Sequence, residues 1–217
     1  MASLLNYDLL NPPFLDFGAG SCWLSELFIR MRIPVVSFDI HNNLEESIQN
    51  RLNADQRLCA SLWKYKQGDG HLMPFEENTF GNLCCYDSLH HMHNYEKVFA
   101  EFYRVLKPGG RTMFIEPVAR HSQSPETIAF LNSQKMLDSA WIERDVVLEE
   151  IEIVAQKAGF NNGVQIVPIP HPNALQEFSL DTWQNFRSGD DLTLSHFTDK
   201  LAQINYDERV LFYVAKV

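Results

Sequence analysis

Three histidines fall within four residues, His90, His91 and His93, directly behind an apolar run, and acidic residues close other apolar runs at Asp16, Asp39 and Glu116. An imidazole titrates near neutrality, so a positioned one can take a proton from a hydroxyl or amine, typically worth ~10²–10⁴-fold in rate. His91, then His90, are the expected bases; the structural alternative is one ring packed under a loop and another bonded to a backbone carbonyl. Clustered histidines also bind metals, but with no acid close in sequence except Asp87 the reading here is that no metal is held. Around Asp16, the stretch Pro13-Phe14-Leu15-Asp16-Phe17-Gly18-Ala19-Gly20 ends an apolar run in two glycines one residue apart. Glycines in such a turn let backbone approach a ligand where a Cβ would clash. Asp16 is expected to fix the turn by accepting its N–H groups, or to reach a ligand cation.

These residues need a scaffold. Leu24, Leu27, Phe28 and Met31 follow the glycines at helical spacing, so strand, tight turn and helix succeed one another. Pro34–Ile40 reads as a second buried strand with Asp39 near its end, about twenty residues past the glycines, where a doubly wound fold places the carboxylate that accepts ribose hydroxyls. Leu44–Leu62 reads as a helix, Lys64–Gln67 as a third strand and Phe80–Leu89 as a fourth, which puts Tyr86 and Asp87 at a strand's carboxyl end, where open sheets bind ligands. Tyr95–Leu106 is helical and stops at Lys107-Pro108-Gly109-Gly110, with glycine supplying the terminating turn. Arg111–Pro117 is a fifth strand, Ser124–Ser139 and Arg144–Ala158 are helices, and Val164–Ile169 and Arg209–Val217 are strands. Alternation of strand and helix predicts a doubly wound, mostly parallel sheet with helices on both faces. In the variable part beyond Pro117, Trp141 and, within Pro170–Gln203, Phe178, Trp183 and Phe186 are candidates for an apolar pocket wall or for core. Glu116 and His121 flank the fifth strand's end, and either faces a substrate or makes a structural pair.

Composition bounds the partners. The 217 residues are 45% hydrophobic and 21% charged, with a formal net charge of −10, which argues against a protein that grips nucleic acid through its phosphates. No apolar run approaches the roughly 20 residues of a membrane span. Cys22, Cys59, Cys84 and Cys85 have neither a C-x-x-C pair nor zinc spacing; adjacent Cys84 and Cys85 point to opposite strand faces as buried free thiols, and a reducing cytoplasm is the expected compartment.

Taken together, Leu15–Gly20, Ser37-Phe38-Asp39, Gly68-Asp69-Gly70-His71-Leu72-Met73-Pro74-Phe75 with Asn78-Thr79-Phe80, Asp87-Ser88-Leu89-His90-His91 and Arg104–Gly110 resemble class I S-adenosylmethionine-dependent methyltransferases of the small-molecule branch. The resemblance covers roughly residues 13 to 117 and implies a Rossmann-like fold of seven strands, the last antiparallel. It implies S-adenosyl-L-methionine as cofactor, S-adenosyl-L-homocysteine as product, and a methyl acceptor atom, O, N or C, on a small molecule. It implies cofactor contacts at Asp16 (ammonium), Gly18, Ala19 and Gly20 (methionine part), Asp39 with Ile40 (ribose), Asp69 with Gly70 and His71 (adenine), and Tyr86 and Asp87. Two departures stand out: the family's third glycine is Cys22, and the acid usual near Phe80 is Gly81.

The expected organisation is a single domain, 1–217, with a cofactor-binding half to residue 117 and a substrate-side half from 118. Met1–Pro12 is shorter than the helical cap that often precedes such a core, so the chain reads as a piece of a longer polypeptide or a minimal version, a possible homodimer or fusion partner. The rivals are a non-catalytic cofactor-binding module working through a partner, a protein methyltransferase, and a nicotinamide dehydrogenase, whose third glycine would fall at Trp23. Asn11-Pro12-Pro13-Phe14 resembles the N-P-P-Y/F signature of amino-methyltransferases on adenine or glutamine, but it runs straight into the glycine-turn strand and reads as a Pro-Pro turn.

Overall fold

The computed structural model describes residues 13–118, 121–135, 138, 140–167, 179–190 and 209–217. Met1–Pro12 and most of Pro170–Gln203, Phe178 included, lie outside them, as do the side chains of Trp183 and Phe186.

Short apolar runs become strands because both of their faces are covered. β1 (Phe14–Phe17), β2 (Val35–Asp39) and β4 (Phe80–Tyr86) are buried almost throughout, as parallel strands between helical layers must be. With β3 (Trp63–Gln67), β5 (Leu106–Pro117), β6 (Gln165–Val167) and β7 (Arg209–Ala215) they form one seven-stranded sheet in the order β3-β2-β1-β4-β5-β7-β6. β1 to β5 are parallel; β7 runs antiparallel to β5, and β6 antiparallel to β7. The expected Rossmann-like sheet is therefore present, with its reversal of strand order between β1 and β4.

Alternation along the strands sorts the core into two layers. Leu15, Phe17, Leu83, Cys85 and Phe114 face α3 (Tyr95–Val105) and α5 (Leu148–Ala158). Phe14, Val35, Cys84 and Met113 face α1 (Trp23–Arg30) and α2 (Leu44–Ala54). Cys84 and Cys85 thus fall on opposite faces, buried and free, as expected. The α3 layer is a phenyl stack: Phe114 lies 4.7 Å from Phe212 and 5.5 Å from Phe99, and Phe17 meets Phe102 edge-on at 4.8 Å. Each such ring withdrawn from water contributes roughly 1.5–3 kcal/mol. Two further helices, α4 (Pro125–Lys135) and α6 (Leu180–Ser188), follow β5 and β6 in the chain.

The structure moves several expected boundaries. The helix from Leu44 stops at Ala54, not Leu62, because Asp55 turns extended and its carboxylate accepts the Arg57 N–H at 3.0 Å, a local turn that competes with the helix. Gly109 and Gly110 do not cap α3: Leu106 is already extended and paired with Phe80, and the glycines join the sheet, with Gly109 N–H on Lys216 O (2.7 Å) and Lys216 N–H on Gly110 O (2.9 Å). A Cβ at Gly110 would sit 2.6 Å from the Gly81 carbonyl, so glycine is needed for strand approach rather than helix termination. The helix read from Arg144 begins only at Leu148, since 141–147 form neither helix nor strand and Val146 N–H is bonded to Pro117 O at 3.2 Å.

The β1–β2 register sets the glycine turn. Phe17 pairs with Phe38, so Gly18 and Ala19 both donate to the Phe38 carbonyl, at 2.9 and 3.1 Å. Gly18 has φ +68°, and a Cβ there would collide with Ser88 behind β4. Gly20 has φ +48° with nothing within 4 Å of its Cβ position. Gly18→Ala should therefore cost about 2–4 kcal/mol in denaturant unfolding, from strain plus overpacking, while Gly20→Ala should cost only about 1 kcal/mol from strain. Equal losses would contradict this packing of the turn.

Candidate active site

A cavity of about 390 Å³ opens at the carboxyl ends of β1, β2 and β4, at the reversal of strand order. Its wall includes Gly18 and Gly20, Asp39 to His41, Gly68 to His71, Asp87 and Ser88, His91 to His93, and Trp141 with Ile142. Of the residues expected to form a cofactor site, Gly18, Gly20, Asp39, Ile40, Asp69, Gly70, His71 and Asp87 are thus brought together. Ala19 is buried behind the turn, and Tyr86 lies off the cavity, edge-on to Trp23 at 5.0 Å.

Asp39 fixes the floor. Its Oδ2 accepts the Gly20 N–H at 2.8 Å and its Oδ1 the His41 N–H at 2.9 Å, so one buried carboxylate ties the β1–α1 loop to the β2–α2 loop. This is the role expected of Asp16, and the structure reassigns it. Asp16 faces α1 instead, where Ser25 donates to it at 2.5 Å; Ser25 shares a 2.7 Å bond with Ser37, which accepts from Trp63 Nε1 at 2.9 Å. Side-chain alternation explains the reassignment, since Phe17 faces the cavity layer and its neighbour must face the other. Cys22, at the family's third-glycine position, sits at the start of α1 with φ +61°, the left-handed conformation that glycine adopts without strain.

The adenine-side residues are held by their own chemistry. Asp69 Oδ1 accepts both the backbone N–H (2.9 Å) and Nδ1–H (2.7 Å) of His71, and the backbone bond leads in holding its carboxyl below the usual range. His71 Nε2 accepts the Asn94 N–H at 3.2 Å, which fixes the tautomer. A Cβ at Gly70 would stand 2.5 Å from the Phe17 ring. Arg104 closes this loop from α3, donating to Met73 O (2.9 Å) and Phe75 O (2.6 Å), a structural role.

Adjacent His90 and His91 have opposite environments. His90 is 3% exposed and off the cavity wall, its Nδ1 2.8 Å from Glu116 and its Nε2 3.3 Å from Glu143. Burial opposes its charge, but these hydrogen-bonded carboxylates outweigh that and push its pKa up to about 9. Such a ring is not aimed at an acceptor. His91 lines the cavity, and its Nδ1 lies 3.0 Å from the Ile142 carbonyl. A carbonyl only accepts, so Nδ1 carries the proton and Nε2 keeps a lone pair. Burial, then the neighbouring His90 charge, lower its pKa, leaving it neutral at pH 7.

Glu116 is fully buried and structural: Oε1 accepts the Ser88 and Leu89 N–H groups at 3.0 and 2.9 Å, holding the turn that carries both histidines. His121 turns to Glu143 at 3.2 Å rather than into the cavity. Glu143 also accepts from Trp141 Nε1 at 3.0 Å; burial opposes its charge, but the His90 hydrogen bond, then that of Trp141 and the nearby imidazole charges, draw its pKa down to about 2. Sequence reasoning missed Glu143, which lies some fifty residues from the histidines with no periodicity to link them. The histidines therefore have two acids close in space, Glu116 and Glu143, that spacing along the chain hid. Trp141, 4.7 Å from His91, is the one expected wall aromatic that the described residues place at the cavity.

Open α/β sheets with a ligand crevice at this point form a broad class. Residues 15–114, a little under half of the chain, match the family described as methyltransferase domain, and over that stretch the chain is similar to class I S-adenosylmethionine-dependent methyltransferases. Phosphoethanolamine N-methyltransferase 2 of Caenorhabditis elegans is 25% identical over 203 residues, 89% of this chain and 44% of that protein. The ubiquinone/menaquinone biosynthesis C-methyltransferase UbiE of Marinomonas is 30% identical over 105 residues, 47% of this chain and 41% of that one. Among solved structures, Haemonchus contortus phosphoethanolamine N-methyltransferase 2 in complex with S-adenosyl-L-methionine matches with a TM-score of 0.58 at 21% identity, over 94% of this chain and 48% of that chain. The chain spans less than half the length of these relatives.

Burial pushes the Asp16 pKa up to about 6, against the Ser25 hydrogen bond that favours its charge. A folded-state pKa above the unfolded value near 3.8 means stability is greatest below that value and falls as pH rises through 6, by on the order of 3 kcal/mol. Asp16→Asn keeps an acceptor for Ser25 and removes the titration. Its stability relative to the parent should rise between pH 4 and pH 7, read by urea unfolding at each pH; a pH-independent difference would contradict the buried, perturbed Asp16.

Proposed function

We propose that the chain transfers a methyl group from S-adenosyl-L-methionine to a small-molecule acceptor, releasing S-adenosyl-L-homocysteine, with the cofactor in the cavity at the ends of β1, β2 and β4. The observation that carries this is Asp39. Each of its oxygens already accepts one backbone N–H and has a further acceptor site, enough for one ribose hydroxyl apiece. Asp69 uses Oδ1 for His71 and keeps Oδ2 for the adenine amino group, while the open side of Gly20 admits the methionine part. Asp16 then supports the start of α1 rather than touching the ammonium.

When bound, the sulfonium supplies an activated methyl. The protein contributes alignment, which can be worth about 7–11 kcal/mol in well-oriented systems, and removal of the acceptor's proton. His91 Nε2 is the base: neutral, of fixed tautomer and on the cavity wall. Trp141 beside it forms part of the acceptor's wall. The named relatives act on a nitrogen and on a carbon of small molecules, which supports a small acceptor without choosing the atom. All four cysteines are free, in keeping with a reducing cytoplasm, and no helix among the described residues is long and apolar enough to cross a membrane.

Calorimetric titration with S-adenosyl-L-methionine tests the site. Asp39→Ala should weaken binding at least tenfold through the lost ribose bonds and the loosened loop. Once an acceptor is found, His91→Ala should lower kcat by roughly 10²-fold or more while cofactor Kd stays within about threefold. Unchanged affinity in the first variant removes the ribose role, and a full-rate second variant retires His91 as the base.

A further inference from the structure

Behind the cavity wall, two imidazoles converge on one carboxylate oxygen. His90 Nε2 is 3.3 Å from Glu143 Oε2 and His121 Nε2 is 3.2 Å from the same atom. His90 Nε2, His121 Nε2 and the Glu143 carboxylate have ligand atoms within 4.8 Å of one another, in a pocket where His90 and Glu143 side chains are 4% and 2% exposed. Bonds of 2.0–2.1 Å in a tetrahedral zinc site put neighbouring ligand atoms about 3.3 Å apart, so the two closest spacings already match the edges of such a site.

The surroundings also fit. His90 turns its other nitrogen, Nδ1, to Glu116 Oε2 at 2.8 Å, the outer carboxylate that orients a metal-bound imidazole, so an ion that displaces the Nε2 proton meets a ligand already in position. Trp141 Nε1 holds Glu143 Oε1, directing Oε2 at the histidines. His121, on the short helical turn His121–Gln123, is 23% exposed, which gives an ion a way in and a fourth position for water. A second set of possible ligands, Asp87, His90 and Glu116, is poorer because Glu116 is already spent on backbone N–H groups.

We propose that His90, His121 and Glu143 bind a divalent transition metal of the zinc type, fastening the 140–146 segment, which carries Trp141 and Ile142 of the cavity wall, to the turn behind β4. The site rests on three segments that no secondary-structure element joins, so the ion acts as a cross-link. It does not depend on the methyl-transfer reading, and its test uses neither cofactor nor acceptor.

Untagged protein, stripped with chelator, is titrated with ZnCl₂ by calorimetry and with CoCl₂ by visible absorption. One equivalent should bind, Co²⁺ should give the intense d–d bands of a tetrahedral site, and zinc should raise the melting temperature. His121→Ala and Glu143→Gln should each weaken binding more than tenfold and abolish the Co²⁺ bands, with His93→Ala as a control that leaves both in place. Circular dichroism establishes that each variant is folded; the surface position of His121 makes its variant the safer one. No saturable binding, or binding of equal affinity in both ligand variants, overturns the proposal in favour of histidines that only hydrogen-bond to Glu143.

Discussion

The carboxylate of Asp39 is the tie on which the site's geometry depends. Two loops leave adjacent parallel strands at their carboxyl ends, each with backbone N–H groups that need acceptors. The Phe38 carbonyl takes two of them, from Gly18 and Ala19, and the next residue's side chain takes Gly20 and His41. The glycine loop is thereby bound to β2 by three hydrogen bonds accepted by a two-residue segment, Phe38-Asp39, whose fourth ties in the following loop at His41. Gly18 must lie flat against Ser88 for this to happen, so packing behind β4 and hydrogen bonding to β2 constrain the same turn.

Buried acids recur at the ends of these strands, and their partners divide the labour. Asp16 meets hydroxyls and is pushed toward its neutral form; Asp39 meets backbone N–H groups; Glu116 meets backbone N–H groups and an imidazole. The last arrangement separates the histidines. His90 is held charged between two carboxylates, and that charge, with burial, helps keep its neighbour His91 neutral. Two identical residues side by side are driven in opposite directions by their surroundings, the charged one held in a buried ion pair and the neutral one facing the cavity.

Much of this was legible in the sequence. Strands β1, β2, β4 and β7 were marked by apolar runs, the glycine turn by its spacing, the cavity residues Asp39 and His91 by position after strands, and Asp69 and His71 by the family resemblance. What stayed hidden were interactions without a local signature. The side of β1 on which Asp16 lies is set by which layer Phe17 joins. Glu143 reaches the histidines from a non-helical segment, 141–147, pinned to the end of β5 by the Val146–Pro117 bond, where the sequence reads as helix from Arg144. The Lys-Pro-Gly-Gly sequence reads as a helix stop, and pairing with Lys216, far along the chain, makes it strand instead.

The central claim is that the cavity over Asp39 is the cofactor site, and a crystal structure with S-adenosyl-L-homocysteine tests it most directly. The ribose hydroxyls should lie within hydrogen-bond distance of the two Asp39 oxygens, with adenine beside Asp69 and His71 and the thioether sulfur on the side of His91. A ligand bound elsewhere, or one in the cavity whose ribose turns away from Asp39, would contradict it.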